Sequence, residues 1–259
     1  MERIKIFQVD AFTDKLFHGN PAAVCLLQEW LNDELLQAIA LENNLSETAY
    51  VVENEDGYHI RWFSPNGEVD LCGHATLAAA DVLFSLQQTD KQFTFSSLSG
   101  PLYVRKDNQF IEMDFPLMHN EQIPNQFLED LINQPIIAAY CSPKDWLVIL
   151  DNEERVKQTQ VDQIRLLAHD MQGLIVSAPS DDVDFYSRCF YPKHKIPEDP
   201  VTGSAHCLLT PVWAERLGKS SFVARQGLSR KGTVHCQLND NRVLLKGECR
   251  RFMEGTIEL

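Results

Sequence analysis

The chain has 259 residues, of which 44% are hydrophobic and 23% charged, and its formal net charge is −14. This composition is typical of folded globular proteins, and a chain of this length buries enough surface to fold without a disulfide or a structural metal. Because a negative field repels phosphate backbones, we expect no nucleic-acid partner. An anionic ligand would need a local positive feature, such as a helix N-terminus.

Seven cysteines are scattered along the chain, and none forms a CxxC pair. This pattern fits neither a disulfide framework nor a zinc site, so we expect a reducing, cytosolic compartment. The opening MERIKIFQVDAF lacks the apolar core of a signal peptide, and no run approaches the ~18 apolar residues of a membrane helix. The sequence therefore predicts a soluble protein that does not bind membranes.

Short strands and two helices alternate in the predicted first half, residues 1–117. IKIFQVDAF and AAVCLL are predicted strands, and a helix begins near Asn32 and ends at Asn43-Asn44. AYVVE and YHIRWF follow as strands separated by the turn EDG, and GHATLAAADVLFSL is the second helix. FTFSSL and a hairpin at KDN complete this half.

A linker is predicted at residues 115–127, which contain two prolines and no clear period. The second half, residues 118–259, then returns to the same order of elements, and we leave open that its last few residues pair with the first half. Its predicted strands are AAYCS, DWLVIL, GLIVSA, DFYSRCF, FVARQG, GTVHCQL and RVLLKGEC. Its predicted helices are VDQIRLLAHD and GSAHCLLTPVWAERLG.

An internal repeat supports this division. Arg61-Trp62-Phe63 corresponds to Arg188-Cys189-Phe190, since each ends a predicted strand and precedes a loop that contains proline. Each loop leads to a Gly-x-Ala helix start, at Gly73-His74-Ala75 and at Gly203-Ser204-Ala205. Two α+β halves related by a pseudo-twofold axis are the simplest interpretation, although two such helix starts can also match by chance.

Two glycine-led helix starts would present backbone N–H groups that have no partner inside the helix. If the halves face each other, both positive helix ends point into one cleft and can hold a carboxylate. Tight helix packing is the ordinary alternative, because glycine and alanine also permit close approach.

Three side chains near these helix starts are candidates for proton chemistry. Glu47 lies between a helix and a strand, where partial burial would suit it to acid/base work, although a loop glutamate is usually solvated. His74 at a helix start is expected to be neutral and could donate to an oxyanion or shuttle a proton, whereas most helical histidines are structural. Cys72 precedes a helix N-terminus, which favours a thiolate. Its counterpart is Thr202, so a racemase with two thiols does not fit.

Sequence motifs for other chemistry are absent: there is no GxGxxG after a strand, no GxxxxGK[ST], no HExxH and no GxSxG. The remaining histidines lack the spacing of metal ligands. We therefore predict neither a cofactor nor a metal.

Several ordered segments resemble one known family. They are QVDAFTDKLFHGNPAAV, NLSETAYV, RWFSPNGEVDLCGHATLAAADVLF, EDPVTGSAHCLLTPVWAERLG and RQGLSRKGTV. Together they extend over nearly the whole chain, and the order HGNPAAV, LSETA, LCGHAT, EDPVTGSA is highly specific. The chain resembles the phenazine-biosynthesis F-like (PhzF) family.

The resemblance implies an α+β fold like that of diaminopimelate epimerase, with two pseudo-symmetric halves that each wrap an antiparallel barrel-like sheet around a central helix. It implies a site in the cleft between the halves. It also implies a homodimeric, cofactor-independent isomerase that moves a proton on a small anionic carboxylate.

The resemblance also assigns residues. Glu47 of the SETA motif would be the acid/base, with His74 and Asp199 as further catalytic groups. The backbone groups expected to bind the substrate carboxylate are those of Gly73, Gly203 and Ser204.

One motif departs from the family pattern. Where the family often has QG-x-x-x-GRPG, this chain has QGLSRKG, so Ser229 replaces a glycine and Lys231 replaces the proline, while Arg230 is retained. The shape of this loop, and with it the identity of the substrate, is therefore open.

Two other functions remain open at this stage. The first is an amino-acid racemase or epimerase that uses Cys72 with a carboxylate partner. The second is a non-catalytic protein that binds a small molecule on the same scaffold.

Overall fold

The computed structural model describes residues 3–55, 57–87 and 92–259. The predicted turn EDG lies partly outside the described residues, since it includes Asp56. The strands are β1 (Arg3–Ala11), β2 (Asn20–Leu27), β3 (Glu47–Asn54), β4 (Gly57–Ser64), β5 (Gly67–Val69), β6 (Phe93–Ser96), β7 (Leu102–Asp107), β8 (Phe110–Pro116), β9 (Glu121–Ile123), β10 (Ala138–Cys141), β11 (Asp145–Ile149), β12 (Gly173–Pro179), β13 (Phe185–Tyr191), β14 (Ile196–Asp199), β15 (Ser221–Gln226), β16 (Gly232–Asn239), β17 (Arg242–Gly247) and β18 (Cys249–Glu258).

The helices are α1 (Asp33–Asn43), α2 (Gly73–Gln87), α3 (Gln126–Ile132), α4 (Glu153–Gln158), α5 (Gln163–Leu167) and α6 (Gly203–Leu217), with a 3-10 turn at Pro192–His194. None of the described helices is long and apolar enough to cross a membrane.

Every predicted strand and helix overlaps an observed one, and most of the elements that were not predicted are short. The predicted linker, residues 115–127, contains β9 and the start of α3. The strands β5, β14 and β18 and the helix α4 were not predicted either. β5, β14 and α4 have three to six residues and contain too little of a hydrophobic period to be recognised from the sequence. β18 has ten residues but none of them is buried, so it lacks a clear apolar face.

The chain divides into two compact units, Met1–Asp114 with Lys246–Leu259 and Phe115–Leu245. The sequence placed the division after residue 117. The C-terminal segment belongs to the first unit because β18 pairs antiparallel with β1 along its whole length, from Arg3 opposite Glu258 to Ala11 opposite Cys249.

The two units repeat one pattern of strand pairing. In the first unit, β1–β2 is antiparallel, β2–β3 parallel, β3–β4 and β4–β5 antiparallel, β4–β6 parallel and β6–β7 antiparallel. In the second unit, β10–β11 is antiparallel, β11–β12 parallel, β12–β13 and β13–β14 antiparallel, β13–β15 parallel and β15–β16 antiparallel. The predicted duplication is therefore present in the topology, and each mainly antiparallel sheet also contains two parallel pairs.

A helix is buried at the centre of each unit. In the first unit, α2 packs against β1, β2, β3, β7 and β18. In the second, α6 packs against β16, and its Trp213 donates a 3.1 Å hydrogen bond to Ser177 on β12 while its ring stacks on Phe185 of β13 at 5.3 Å. Strands surround both helices, as expected for a barrel-like sheet with a helical core.

Other helices cover the outer faces of the sheets. In the first unit, Leu36, Ile39 and Ala40 of α1 form a buried cluster with Ile6 and Tyr50. In the second unit, residues of α3, α4 and α5 form a similar cluster with β10 to β13. All seven residues of β13 are buried, because helices cover both of its faces.

Pro211 lies inside α6, where proline removes a helical hydrogen bond to the carbonyl four residues earlier. That carbonyl belongs to Cys207, and it accepts a hydrogen bond from the backbone N–H of Met118 at 3.2 Å. The loop after β8 thus replaces the bond that the proline eliminates, and the helix continues for its full 15 residues.

Candidate active site

Glu47 is the first residue of β3, two positions before the predicted strand start at Ala49, and Ala22 of β2 is its parallel partner. Its side chain is only 13% exposed. One oxygen of the carboxylate, Oε2, lies 3.2 Å from Nε2 of His74 in the first turn of α2. The structure thus brings together two of the three predicted catalytic residues.

Asn20 completes this group, and the sequence analysis did not single it out. It opens β2 and is fully buried. Its Nδ2 lies 3.2 Å from Nδ1 of His74, and its Oδ1 accepts a 3.4 Å hydrogen bond from the hydroxyl of Ser46. The available signal in the sequence was the asparagine of the quoted HGNPAAV motif. Its burial, which only the structure shows, means that its polar side chain needs partners.

The imidazole of His74 is 4% exposed, and burial lowers its pKa to about 3. The ring is therefore neutral at neutral pH, as the sequence predicted, although the cause is burial. Its contact with Glu47 has the distance of an ion pair but does not meet the angular criteria of a hydrogen bond. Because the ring is neutral, this contact is a close polar contact and not an ion pair. Its geometry could become that of a hydrogen bond when a ligand binds.

Cys72 lies near the same ring nitrogen as Asn20, with its Sγ 3.5 Å from Nδ1 of His74. One atom each of Glu47, Cys72 and His74 can be chosen so that all three lie within 4.8 Å of one another. These are also the donor types of a zinc site. However, the amide nitrogen of Asn20 lies 3.2 Å from Nδ1 and a carboxylate lies near Nε2, and these contacts suit a ring that holds a proton rather than a metal ion. The predicted absence of a metal stays a prediction.

Asp199 ends β14 in the second unit and is 7% exposed. The hydroxyl of Thr202 donates to its Oδ2. Gln226 fixes this loop from β15, since its Nε2 donates to the backbone oxygen of Asp199 at 2.9 Å and to the hydroxyl of Thr202 at 3.0 Å. Its Oε1 accepts from the backbone N–H of Thr202 at 3.0 Å. Gln226 is a second residue that sequence reasoning missed, within the quoted RQGLSRKG.

Gly227 follows Gln226 with a φ of +93°, a conformation that favours glycine. A Cβ at this position would lie 2.3 Å from the backbone oxygen of Arg230 and 2.6 Å from that of Pro200. The loop that contains the departure from the family pattern therefore packs closely at its glycine against the backbone of Pro200, just before α6.

The three predicted substrate-binding residues lie at helix starts. Gly73 opens α2, and Gly203 and Ser204 open α6. Gly203 is buried and Ser204 is exposed. Within the first unit, Gly73 directly precedes His74, whose ring approaches Glu47.

Comparisons with known proteins agree with the fold and with the motifs. The family profile of PhzC-PhzF, described as phenazine biosynthesis-like protein, matches residues 9–255. The chain belongs to the phenazine biosynthesis-like family. An uncharacterized isomerase of Pseudomonas aeruginosa is 47% identical over 259 residues, with 99% of each chain covered.

Solved structures extend the comparison. The crystal structure of a PhzF-family phenazine biosynthesis protein from Enterococcus faecalis matches with a TM-score of 0.96 and 42% identity, covering 100% of both chains. A hydroxyproline epimerase from Agrobacterium vitis matches with a TM-score of 0.64 at 10% identity, covering 98% of this chain and 92% of the other. The likeness to this epimerase shows the fold alone, and it agrees with the predicted epimerase-like fold.

Strand register shows which position of the second unit corresponds to Glu47 in this phenazine biosynthesis-like chain. Thr48 pairs with Phe63 in the first unit, and Leu174 pairs with the equivalent Phe190 in the second. Thr48 therefore corresponds to Leu174, and the residues directly before them, Glu47 and Gly173, correspond to each other. A Cβ on Gly173 would lie 2.3 Å from the ring of Tyr191. The second unit therefore has no carboxylate at this position, and a tyrosine ring fills the space.

Asp145 adds an unpredicted carboxylate beside this position, because it pairs with Gly173 across β11 and β12. It is 4% exposed, and burial raises its pKa from 3.8 to about 6, with smaller opposing effects from Lys144 and from a backbone hydrogen bond of Gly173. Its Oδ1 and the hydroxyl of Tyr191 have no hydrogen-bond partner among the residues that the structure describes. The ionised carboxylate is thus disfavoured in the folded state.

This burial predicts a pH-dependent stability. A carboxyl group whose pKa is raised by folding destabilises the fold above that pKa, and the penalty is lost as pH falls from about 6 to about 4. We expect Asp145→Asn to raise the free energy of unfolding at pH 8 by up to about 3 kcal/mol and to have little effect at pH 4. Urea unfolding at both pH values measures the difference. Asp181→Asn, on an exposed loop, is the control, and an equal gain at pH 4 would contradict the explanation.

Proposed function

We propose that this chain is an isomerase that moves a proton on a small carboxylate substrate, with Glu47 as the acid/base. The observation that carries the proposal is the mostly buried Glu47 carboxylate 3.2 Å from the neutral imidazole of His74. A positioned carboxylate of this kind can take a proton from an acidic C–H, and the same group can return it at another carbon. The name of the similar Pseudomonas aeruginosa protein, an isomerase, supports the reaction class.

The start of α2 is the proposed carboxylate-binding element next to Glu47. Helical hydrogen bonding begins with the N–H of Thr76, which donates to the carbonyl of Cys72 at 3.1 Å. The preceding N–H groups of Gly73, His74 and Ala75 belong to the first turn, which lacks intrahelical acceptors and carries the positive end of the helix dipole. An anion bound there would lie beside His74, whose ring approaches Glu47.

In the reaction we propose, Glu47 removes a proton from a carbon next to an unsaturated or carbonyl group. Negative charge then develops on the substrate, where helix N–H groups stabilise it. The neutral His74 can donate a hydrogen bond to Glu47 or to the developing oxyanion. In the second unit, Asp199 as a catalytic group and Gly203 and Ser204 as binding groups remain part of the proposal.

Proton exchange with solvent tests this function. We expect the protein in D2O to incorporate deuterium into at least one member of a panel of small carboxylic acids with an acidic C–H, as measured by mass spectrometry. The methyl esters of the same acids are the matched control, because they lack the charge that the helix start would bind. If no acid exchanges, the isomerase proposal is wrong. If esters exchange as fast as acids, the carboxylate site is wrong.

A racemase or epimerase that uses Cys72 is the second candidate, because its thiol lies 3.5 Å from the ring of His74. In that case Cys72→Ser would reduce deuterium exchange as strongly as a change of Glu47. The isomerase proposal instead expects Cys72→Ser to leave most of the exchange intact.

The predicted homodimer and cytosolic location remain predictions beside this function. All seven cysteines are free thiols, an arrangement typical of reducing compartments.

A further inference from the structure

His74 has polar neighbours at both ring nitrogens, and they differ in what they can offer. Asn20 presents its Nδ2 to Nδ1 of the ring at 3.2 Å, while Oε2 of Glu47 lies 3.2 Å from Nε2. Asn20 is fully buried and the imidazole nearly so, so water cannot readily substitute for these partners. Sγ of Cys72 also lies 3.5 Å from Nδ1, but a thiol can donate or accept, so the amide and the carboxylate determine which nitrogen carries the proton.

The two ends of the Asn20 amide face different neighbours. Its Oδ1 accepts a 3.4 Å hydrogen bond from the Ser46 hydroxyl, and its Nδ2 faces Nδ1 of the ring at 3.2 Å. An amide nitrogen only donates, so Nδ1 of His74 must accept. A neutral imidazole that accepts at Nδ1 carries its proton on Nε2, which faces the carboxylate.

We propose that Asn20 is a positioning residue that fixes His74 in the Nε2–H tautomer, so that this ring donates to Glu47 or to a bound ligand and does not act as a base toward Glu47. Only the role of Glu47 in this statement depends on the proposed function. Burial also lowers the pKa of His74 to about 3, so the ring stays neutral over the range in which the acid/base would work. A fixed N–H donor beside a carboxylate orients that carboxylate without competing for its proton.

His206 in α6 is the natural reference for this tautomer. It is also fully buried with a pKa lowered to about 4, but its Nδ1 lies 2.8 Å from the backbone oxygen of Thr202. A carbonyl oxygen only accepts, so His206 carries its proton on Nδ1. The chain therefore contains two buried neutral histidines with opposite tautomers.

Nitrogen-15 NMR of histidine-labelled protein tests the proposal, because the protonated and unprotonated nitrogens of a neutral imidazole resonate far apart. His74→Asn and His206→Asn assign the two rings. We expect Nε2–H for His74 and Nδ1–H for His206 in the unsubstituted protein at pH 7. Asn20→Asp presents only acceptor oxygens to Nδ1, so Nδ1 of His74 should become protonated while His206 stays unchanged.

Asn43→Asp is the matched control, because its amide donates to Thr48 at 3.0 Å and makes no recorded contact with His74. It should leave both tautomers as they are. Nδ1–H on His74 in the unsubstituted protein overturns the proposal, and this result does not depend on whether any variant folds. Retention of an unprotonated Nδ1 in Asn20→Asp overturns it as well.

Deuterium exchange gives a separate readout. With any acid that exchanges in the unsubstituted protein, Asn20→Asp should reduce the exchange rate and change its pH profile. The reason is that the ring proton moves from Nε2 to Nδ1, so that Nε2 no longer presents an N–H group to Glu47 or to a ligand. The tautomer is read without a substrate, so a wrong tautomer and a failure of the isomerase proposal give different results.

Discussion

Replacing Glu47 with glutamine should reduce solvent deuterium incorporation into a true substrate by at least about 100-fold, because positioned acid/base catalysis contributes on the order of 10²–10⁴-fold. Glutamine has nearly the same shape as glutamate, and its carbonyl oxygen can take the place of the carboxylate oxygen near Nε2 of His74. The fold should therefore be retained, with an unchanged circular dichroism spectrum and melting temperature within a few degrees. Exchange measured by mass spectrometry in D2O gives the loss.

Glu53→Gln is the control for this experiment. Glu53 belongs to the same strand, β3, but its side chain is exposed. The substitution removes the same charge from the chain without touching His74. Full exchange activity in Glu47→Gln would rule out this residue as the base, and equal losses in both variants would indicate an effect of net charge.

The sequence predicted the duplicated fold because the repeat is visible in residues whose packing the fold requires. Arg61 and Phe63 recur as Arg188 and Phe190, and the structure places these residues on equivalent strands, β4 and β13. The hydrophobic period then identified the longer strands except β18, together with both central helices. The partners of the two arginines, Glu68 and Glu198, lie in the short strands β5 and β14, where no such period exists.

The site was less predictable, because its contacts depend on strand register. Glu47 reaches His74 because the first residue of β3 points to the face that packs against α2, and a shift by one residue would reverse this. Asn20 and Asp145 open parallel strands in the two units, and neither belongs to a catalytic motif recognisable from spacing. Only the structure shows that Asn20 approaches a histidine and that Asp145 is buried, with a carboxyl pKa raised by that burial.

Among the ion-paired side chains of the second unit, Arg188 is the one whose loss we expect to lower stability most. It is 7% exposed, and its Nε and Nη2 donate to the two carboxylate oxygens of Glu198 at 3.0 and 2.7 Å. Its Nη1 donates to three backbone oxygens near the end of α4, those of Val156, Lys157 and Thr159, at 2.8–3.0 Å. Removing it leaves these acceptors and a half-buried carboxylate without their donor.

We therefore expect Arg188→Leu to lower the free energy of unfolding by about 3–5 kcal/mol, the usual effect of breaking one side of a buried ion pair. Arg188→Lys should lose less, because it keeps the charge but not the paired geometry. Urea unfolding followed by tryptophan fluorescence measures both. Because Glu198 directly precedes Asp199 and also accepts from the N–H of Leu228 at 3.2 Å, the loop that holds Asp199 should become more accessible to hydrogen exchange.

Arg61→Leu is the matched control in the first unit. Arg61 forms the same paired contact with Glu68, at 2.7 Å for both bonds, but it is 17% exposed and its other partner, Asp33, is 74% exposed. No backbone oxygen is recorded among its acceptors in the described part of the chain, so its loss should be clearly smaller, near the value of about 1 kcal/mol for a partly solvated pair. Equal losses for both arginines would mean that the paired carboxylate alone determines stability, and that the three carbonyl contacts of Arg188 contribute little.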